Sequence, residues 1–108
     1  MIETFKDLCE ELDLHPRCAS GVGPGWFPIL RNLVTELRAS GWDGKIGQIK
    51  EKFGSLRFYP DSPADDDVIV KYEALSRKTC EYCGNPGKQR TTDGHIYGWI
   101  VTTCEQCR

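Results

Sequence analysis

Two Cys-x-x-Cys pairs are the residues of this sequence whose types and spacing most clearly indicate chemistry. Cys80 and Cys83 form the first pair, Cys104 and Cys107 form the second, and 20 residues separate the two pairs. This arrangement is close to the C-x2-C-x15–20-C-x2-C pattern of structural zinc sites. Four thiolates give Zn²⁺ a closed tetrahedral shell with no position open to a substrate. The cysteines therefore predict a structural Zn²⁺ ion.

The segment between the pairs predicts a β-hairpin that brings the two pairs together. It contains the Asp-Gly dipeptide at 93–94, which is typical of a tight turn, followed by the β-rich run HIYGWIVTTC. Gly84 directly follows Cys83, so the backbone can turn sharply and direct its amide N–H groups at the sulfurs. We therefore predict a zinc ribbon over residues 80–108.

Other cysteine chemistry fits the sequence less well. A redox Cys-x-x-Cys pair lies at the start of a helix, whereas Cys83 is followed by GNPG, which does not start one. Structural disulfides need an oxidising compartment. Cys9, His15 and Cys18 could be three ligands of a second site, but we expect a buried cysteine and a loop thiol.

Composition limits the class of protein. The chain has 108 residues, 39% of them hydrophobic and 28% charged, which predicts one domain with a thin core. The N-terminal residues do not resemble a secretory signal and no apolar run is long enough for a membrane span, so we expect a cytoplasmic protein. Its net charge is −2, which argues against extensive nucleic-acid contact.

Hydrophobic periodicity predicts two helices in the first 40 residues. A helix over about 3–13 has a Thr4–Asp7 capping box, and a second over about 26–40 ends before Gly41. The second helix has an apolar stripe formed by Trp26, Ile29, Leu30, Leu33, Val34 and Leu37, which we expect to be buried. Phe27 lies off this stripe.

The front of the segment 45–60 is ambiguous, since Ile46, Ile49 and Phe53 also fit a helix. We predict a β-hairpin over about 46–60, with its two-residue turn in Phe53–Gly54–Ser55–Leu56. Its apolar face contains Ile49, Phe53, Leu56 and Phe58, with Glu51 as the one misfit. The opposite face contains Lys50, Lys52, Arg57 and Tyr59. A third helix follows over about 64–78, with Ser62 as its cap, Pro63 in its first turn, three aspartates near its N-terminus and a core stripe of Val68, Tyr72 and Leu75.

The segment 44–59 is the only basic part of the chain, with four basic residues and one acidic residue, a net charge of +3. Lys50, Lys52, Arg57 and Tyr59 could bind a partner or a nucleic acid, or they could be an ordinary solvated strand face. One of the tryptophans Trp26, Trp42 and Trp99 could be an exposed anchor for a partner.

The run TDGHIYG at 92–98 is similar to the Asp-His-Ile core of HNH nucleases, with Asp93 and His95 as the candidate catalytic residues. Gly94 separates these two residues, and the later Asn and His of that family are missing. We therefore expect a turn with an exposed histidine here, and a nuclease is a remote alternative.

A second set of acidic residues could bind a hard cation, namely Asp65, Asp66 and Asp67. The favourable interaction of carboxylates with a helix N-terminus explains these residues better.

Three segments together resemble a family of small uncharacterised phage, prophage and bacterial proteins. They are GPGWFPILRNL, IKEKFGSLRFY and the ribbon CEYCG…GW…CEQC, and the resemblance covers about residues 23–107. It carries no activity with it, and it implies an accessory role such as modulating a host protein or a defence component in the host cytoplasm. Only the four cysteines are carried over as functional residues.

The sequence therefore predicts an α+β fold, with a helix-and-hairpin core over residues 1–79 and a zinc ribbon over 80–108. The expected function is non-enzymatic binding of a protein partner by the preorganised hairpin surface. A nucleic-acid-binding zinc ribbon is the alternative.

Overall fold

The computed structural model of this protein describes residues 3–91 and 100–107. Its helices are α1 (Phe5–Leu12), α2 (Phe27–Ala39, preceded by the 3₁₀ turn Pro24–Trp26) and α3 (Asp66–Ser76). Its strands are β1 (Ile46–Lys52), β2 (Ser55–Pro60), β3 (Lys88–Thr91) and β4 (Ile100–Thr103). β1 pairs with β2 and β3 with β4, each as a separate antiparallel hairpin, so the α+β prediction is confirmed.

The first two helices form for the reasons read from the sequence. The Thr4 hydroxyl accepts a hydrogen bond from the Asp7 N–H and the Asp7 carboxylate accepts one from the Thr4 N–H, which completes the capping box of α1. The whole predicted stripe is buried, with Trp26 in the 3₁₀ turn and the other five residues in α2. Phe27 is buried as well, because its ring packs 6.4 Å from that of Phe5 in α1.

The inner face of the β1–β2 hairpin completes the core. Ile49, Leu56 and Phe58 are buried in the same cluster as the α2 stripe, and the Phe58 ring lies 5.7 Å from that of Trp42. The prediction that Phe53 joins this face is wrong. The turn lies one residue earlier than predicted, because Lys52 pairs with Ser55 and leaves Phe53 and Gly54 as its two central residues. Phe53 is 63% exposed, because it is in the turn with a φ of 54° and is not part of the strand.

Glu51 lies on the apolar face for a local reason. Its carboxylate accepts a hydrogen bond of 2.8 Å from the Gly54 N–H in the turn. Gly54 has a φ of 76°, so both central residues of the turn have positive φ, as in a type I′ turn. The half-buried carboxylate therefore satisfies a turn amide that has no partner in the strand ladder.

Helix α3 covers the free edge of β2, and it does so with polar side chains. The Leu56 N–H donates to the Ser76 hydroxyl at 2.9 Å, and the Phe58 N–H donates to the Glu73 carboxylate at 3.0 Å. Ser76 is fully buried, and Ile69, two turns earlier on the same side of α3, is buried as well. The predicted stripe ending at Leu75 is therefore wrong in its last member, since Leu75 is 44% exposed.

The start of α3 also differs from the prediction. Asp65 is the N-cap, and its carboxylate accepts a hydrogen bond from the Asp67 N–H. Ser62 does not cap the helix, because its hydroxyl donates to Asp43 at 2.6 Å instead, and Pro63 precedes the helix. The aspartates are explained by helix-start chemistry, as expected.

The free edge of β1 is covered by residues 17–21. Three N–H groups of this segment, those of Arg17, Cys18 and Gly21, donate to carbonyls of β1. Both edges of the hairpin are therefore closed to a further strand. No helix among residues 3–91 and 100–107 has the length and apolarity that crossing a bilayer requires.

Candidate metal centre

The first cysteine loop, residues 78–87, is a closed turn set between α3 and β3. The Cys80 N–H donates to the Asn85 carbonyl at 2.8 Å, and the Gly87 N–H donates to the Lys78 carbonyl at 2.9 Å. Gly84 turns the chain with a φ of 82°, a conformation that glycine adopts without steric cost. Cys80 and Cys83 therefore project from one rigid turn.

The second cysteine loop, residues 104–107, directly follows β4. Cys104 comes one residue after the strand ends, and the Cys107 N–H donates to the Cys104 carbonyl at 3.3 Å. Pairing of β3 with β4 places Lys88 opposite Thr103, so the strand ends next to both loops are neighbours. The predicted hairpin between the pairs thus brings the two loops together.

The four sulfurs converge. The Sγ atoms of Cys80, Cys83, Cys104 and Cys107 all lie within 4.8 Å of one another, and those of Cys83 and Cys104 are 3.5 Å apart. A tetrahedral site with Zn–S bonds of about 2.3 Å separates its sulfurs by about 3.8 Å. The cluster is close to this geometry, so these residues fit a four-coordinate metal ion.

Backbone amides are directed at the sulfurs, as the glycine after Cys83 predicted. Burial acts to raise the pKa of the Cys80 thiol, but N–H groups of Cys83, Cys104 and Tyr82 donate to its sulfur and lower its pKa to about 6. Burial likewise opposes ionisation of Cys104, and the neighbouring cysteine thiols with the N–H groups of Cys107 and Gln106 lower its pKa. The first cysteine of each pair is therefore prepared to bind as a thiolate.

The second cysteine of each pair behaves in the opposite way. Contact with the sulfurs of Cys104 and Cys83 raises the pKa of Cys107 to about 12. At Cys83 the Asn85 N–H lowers the pKa, but the neighbouring Cys104 sulfur and burial raise it, and the net shift is upward. Four negative sulfurs this close repel one another, so two of them keep their protons unless a cation compensates the charge. A dication would displace those protons and bind all four thiolates.

Burial divides the ligands in the same way. Cys80 is 0% exposed and Cys104 is 5% exposed, whereas Cys83 is exposed and Cys107 is half-buried. The site is therefore set against the body of the protein on one side and reaches the surface on the other.

The first cysteine loop is clamped to the segment before α2, a contact that the sequence did not predict. The Gly25 N–H donates to the Glu81 carbonyl at 2.7 Å, and the Gly23 N–H donates to the Glu81 carboxylate at 2.9 Å. Burial raises the pKa of Glu81, while the Gly23 N–H acts in the opposite direction. The indole N–H of Trp26 adds a third hydrogen bond, of 2.8 Å, to the Thr79 carbonyl.

Two glycines permit this close approach. A Cβ on Gly25 would lie 2.1 Å from the Cys80 carbonyl oxygen, and a Cβ on Gly23 would lie 2.5 Å from the Glu81 carbonyl oxygen. Both positions therefore require a residue without a side chain. The Gly-x-Gly spacing immediately before a helix was the only sequence signal for this contact.

The tip of the β1–β2 hairpin contacts the β3–β4 pair, whose strand β4 leads into the second loop. The Thr102 hydroxyl donates to the Gly54 carbonyl, and the Glu81 N–H donates to the Thr102 carbonyl at 3.0 Å. The Gln89 amide also donates to the Phe53 carbonyl at 3.1 Å. The hairpin tip and the ribbon are thus in direct contact, and the division of the chain at residue 80 stays a prediction.

The remaining candidates fall into three groups. Lys50, Lys52, Arg57 and Tyr59 share the outward face of the hairpin, as predicted. Cys9 is buried, and Cys18 and His15 are exposed. Among the described residues the four ribbon cysteines form the one group suited to a metal ion. Trp26 and Trp42 are buried and cannot anchor a partner, while Asp93, His95 and Trp99 lie outside the described residues.

Comparison with known proteins gives no match for this chain, whether with family models, with curated proteins or with solved structures.

Proposed function

We propose that this chain is a small zinc-binding accessory protein, non-enzymatic, in which Zn²⁺ has a structural role. The observation that supports this most directly is the convergence of four cysteine sulfurs within 4.8 Å. Cys80, Cys83, Cys104 and Cys107 would hold the ion. Four thiolates in a tetrahedral set favour zinc, with iron as the principal competitor.

The donor set argues for a structural ion and against a catalytic one. A zinc ion that activates water binds three protein ligands and keeps a fourth position open. Here four sulfurs would fill the shell. The ion would connect the loop that is clamped to Gly23 and Gly25 with the loop that follows β4, so it would fix the ribbon against the hairpin.

We further propose that the zinc-loaded protein binds a protein partner and acts by occupying a surface of that partner. Ordering a binding surface before the encounter reduces the entropy lost on association, which is what a structural ion can contribute. The resemblance to phage and prophage proteins supports an accessory role of this kind, with a host or defence component as the partner in the host cytoplasm. Nucleic acid is the alternative partner.

Elemental analysis of protein purified under reducing conditions tests the metal assignment. We expect one zinc ion per chain, and the Co²⁺-substituted protein should show the visible absorption bands of a tetrahedral thiolate site. Cys80→Ser and Cys104→Ser should each reduce the bound metal. Cys18→Ser is the matched control, since that thiol is exposed and outside the cluster. Protein without metal, or variants of the cluster that retain it fully, would contradict the proposal.

Capture on immobilised protein tests the partner assignment. The zinc-loaded protein should retain one protein species after nuclease treatment, and the Cys80→Ser variant should lose it. Retention of nucleic acid that weakens steeply with salt would favour the nucleic-acid alternative. Divalent-dependent DNA cleavage lost on His95→Ala would support the nuclease alternative.

A further inference from the structure

The outward face of the β1–β2 hairpin concentrates positive charge. We call Lys50, Lys52, Arg57 and Tyr59 the basic face. Lys50 is directly opposite Arg57 in the strand register, and Lys52 follows two residues after Lys50 on the same side. The backbones of cross-strand partners are about 5 Å apart and those of residues two positions apart about 7 Å, so the three cationic residues occupy a compact triangle of positions.

Within the described part of the chain, the three cations, Lys50, Lys52 and Arg57, have no counter-charge in ion-pair contact. Like charges directly opposite each other destabilise a hairpin. The Lys50 ammonium lies 5.8 Å from the ring of Tyr59, which is 42% exposed, so the nearest compensation is an aromatic ring. An arrangement that costs stability in this way is suited to an anionic ligand.

The fold restricts how such a ligand can bind. Residues 17–21 cover the edge of β1, and α3 covers the edge of β2 through Ser76 and Glu73. A partner therefore cannot add a strand to this hairpin. It must lie across the face and be recognised through its side chains.

A groove of about 570 Å³ continues from the basic face towards the first cysteine loop. Its wall is formed by Lys50, residues 19–22, Tyr82 and Val101, together with two acidic residues, Glu51 and Glu81. The Tyr82 side chain is 51% exposed. The groove thus offers apolar contact at Val22, Tyr82 and Val101, while Glu51 and Glu81 disfavour a carboxylate within it, so the acidic side chains of a ligand would lie on the basic face.

We propose that the basic face binds an extended acidic segment of the protein partner, with carboxylates at every second residue and an apolar side chain in the groove beside Tyr82. This rests on the proposed function as a protein-binding module. In an extended segment, side chains on one side repeat about every 7 Å, which matches the separation of Lys50 and Lys52 along their strand. Two or three carboxylates would then meet the three cations.

Charge outside the basic face favours a peptide over nucleic acid. The whole chain has a net charge of −2, and the residues that follow β2 are acidic, with Asp61, Asp65, Asp66 and Asp67 close in sequence. A continuous phosphate backbone would extend beyond the three cations into this negative region. A short acidic segment presents its charge only where the cations are.

Fluorescence anisotropy with a labelled twelve-residue peptide of alternating Glu and Val tests this proposal on the zinc-loaded protein. The comparison probes are the same peptide with Gln in place of Glu, and labelled dT12. We expect the Glu peptide to bind at least about tenfold more tightly than the Gln peptide and than dT12, because charge complementarity supplies the discrimination. The variant with Lys50→Glu and Arg57→Glu should weaken binding at least about tenfold.

The matched control reverses two other lysines, Lys6→Glu and Lys71→Glu, which are exposed and lie outside both the basic face and the cysteine loops. This control has the same net charge as the test variant. Because its reversed charges lie outside the basic face and are screened by salt, it should change the affinity by less than about twofold. Zinc content and circular dichroism establish that each variant is folded, and Lys50→Gln with Arg57→Gln is the milder substitute if the charge reversal is not. Equal binding by test and control variants, preference for dT12, or binding of neither probe would overturn the proposal. A protein that holds zinc and captures its partner with the basic face reversed would leave the proposed function intact.

Discussion

Replacing Gly25 by Ala should separate the first cysteine loop from the segment before α2. The added Cβ would lie 2.1 Å from the Cys80 carbonyl oxygen, 2.5 Å from the Gly84 nitrogen and 2.7 Å from the Glu81 carbonyl carbon. All three neighbours are backbone atoms, which cannot rotate away as a side chain would. Normal contact requires about 3.5 Å, so the two backbones must move apart by more than about 1 Å.

This displacement determines the size of the effect. The hydrogen bonds from the Gly25 and Gly23 N–H groups to Glu81 are 2.7 and 2.9 Å long, so a shift of that size breaks both. Each is worth about 1 kcal/mol, and overpacking adds about 1–3 kcal/mol. We expect the free energy of unfolding to fall by about 3–5 kcal/mol, a large part of the total for a domain of this size.

Urea unfolding in a buffer of fixed free zinc measures this change, because bound metal contributes to the apparent stability. Release of zinc to a chromophoric chelator should also be faster in the variant. Gly21→Ala is the matched control from the same segment, since a Cβ there meets nothing within 4 Å, and it should change stability by less than about 0.5 kcal/mol. If the two variants unfold at the same urea concentration, the close approach to Cys80 is refuted.

Other perturbations test the remaining contacts. Trp26→Phe should lower the free energy of unfolding by about 1–2 kcal/mol in urea, because it leaves a carbonyl of the first cysteine loop without its indole donor; an unchanged midpoint would contradict this. Ser76→Ala should cost about 1–3 kcal/mol and speed hydrogen exchange at the Leu56 amide, whose acceptor it removes. Phe53→Asn should raise the thermal midpoint by stabilising the hairpin by about 0.5–1 kcal/mol, because asparagine tolerates a φ of 54° better than phenylalanine. Chelation of the metal should speed exchange at the amides of residues 21–26 as well as in the ribbon, and exchange confined to the ribbon would argue against the clamp.

The sequence predicted what depends on local spacing. The two Cys-x-x-Cys pairs, the capping box of α1 and the stripe of α2 are patterns of a few residues, and each is present in the structure. The hairpin was also predicted, but Phe53 was assigned to the apolar face. That error arose because the turn was predicted one residue too late, which made Phe53 a strand residue opposite Leu56. In the structure Lys52 pairs with Ser55, and Phe53 is a central turn residue with a positive φ.

Contacts between distant segments were not predictable in this way. The polar side of α3 is buried because Ser76 and Glu73 accept hydrogen bonds from β2, and a search for apolar periodicity selects Leu75 instead. The contact between Gly23 and Glu81 joins residues 58 positions apart. A glycine needed for a distant backbone looks in the sequence like any other loop glycine.

Two of the four metal ligands are positioned by the folded body of the protein, and the other two lie at the exposed ends of the cysteine loops. Cys80 is buried in the loop that Gly25 and Trp26 hold, and Cys104 follows the strand whose Thr102 is tied to the hairpin tip. Two of the four sulfurs are therefore placed by the folded body, with amides already directed at them. Cys83 and Cys107 come from the more exposed ends of the loops. A metal ion would need to order only these ends. A smaller part of its binding free energy would therefore offset the cost of ordering the chain than in an isolated ribbon.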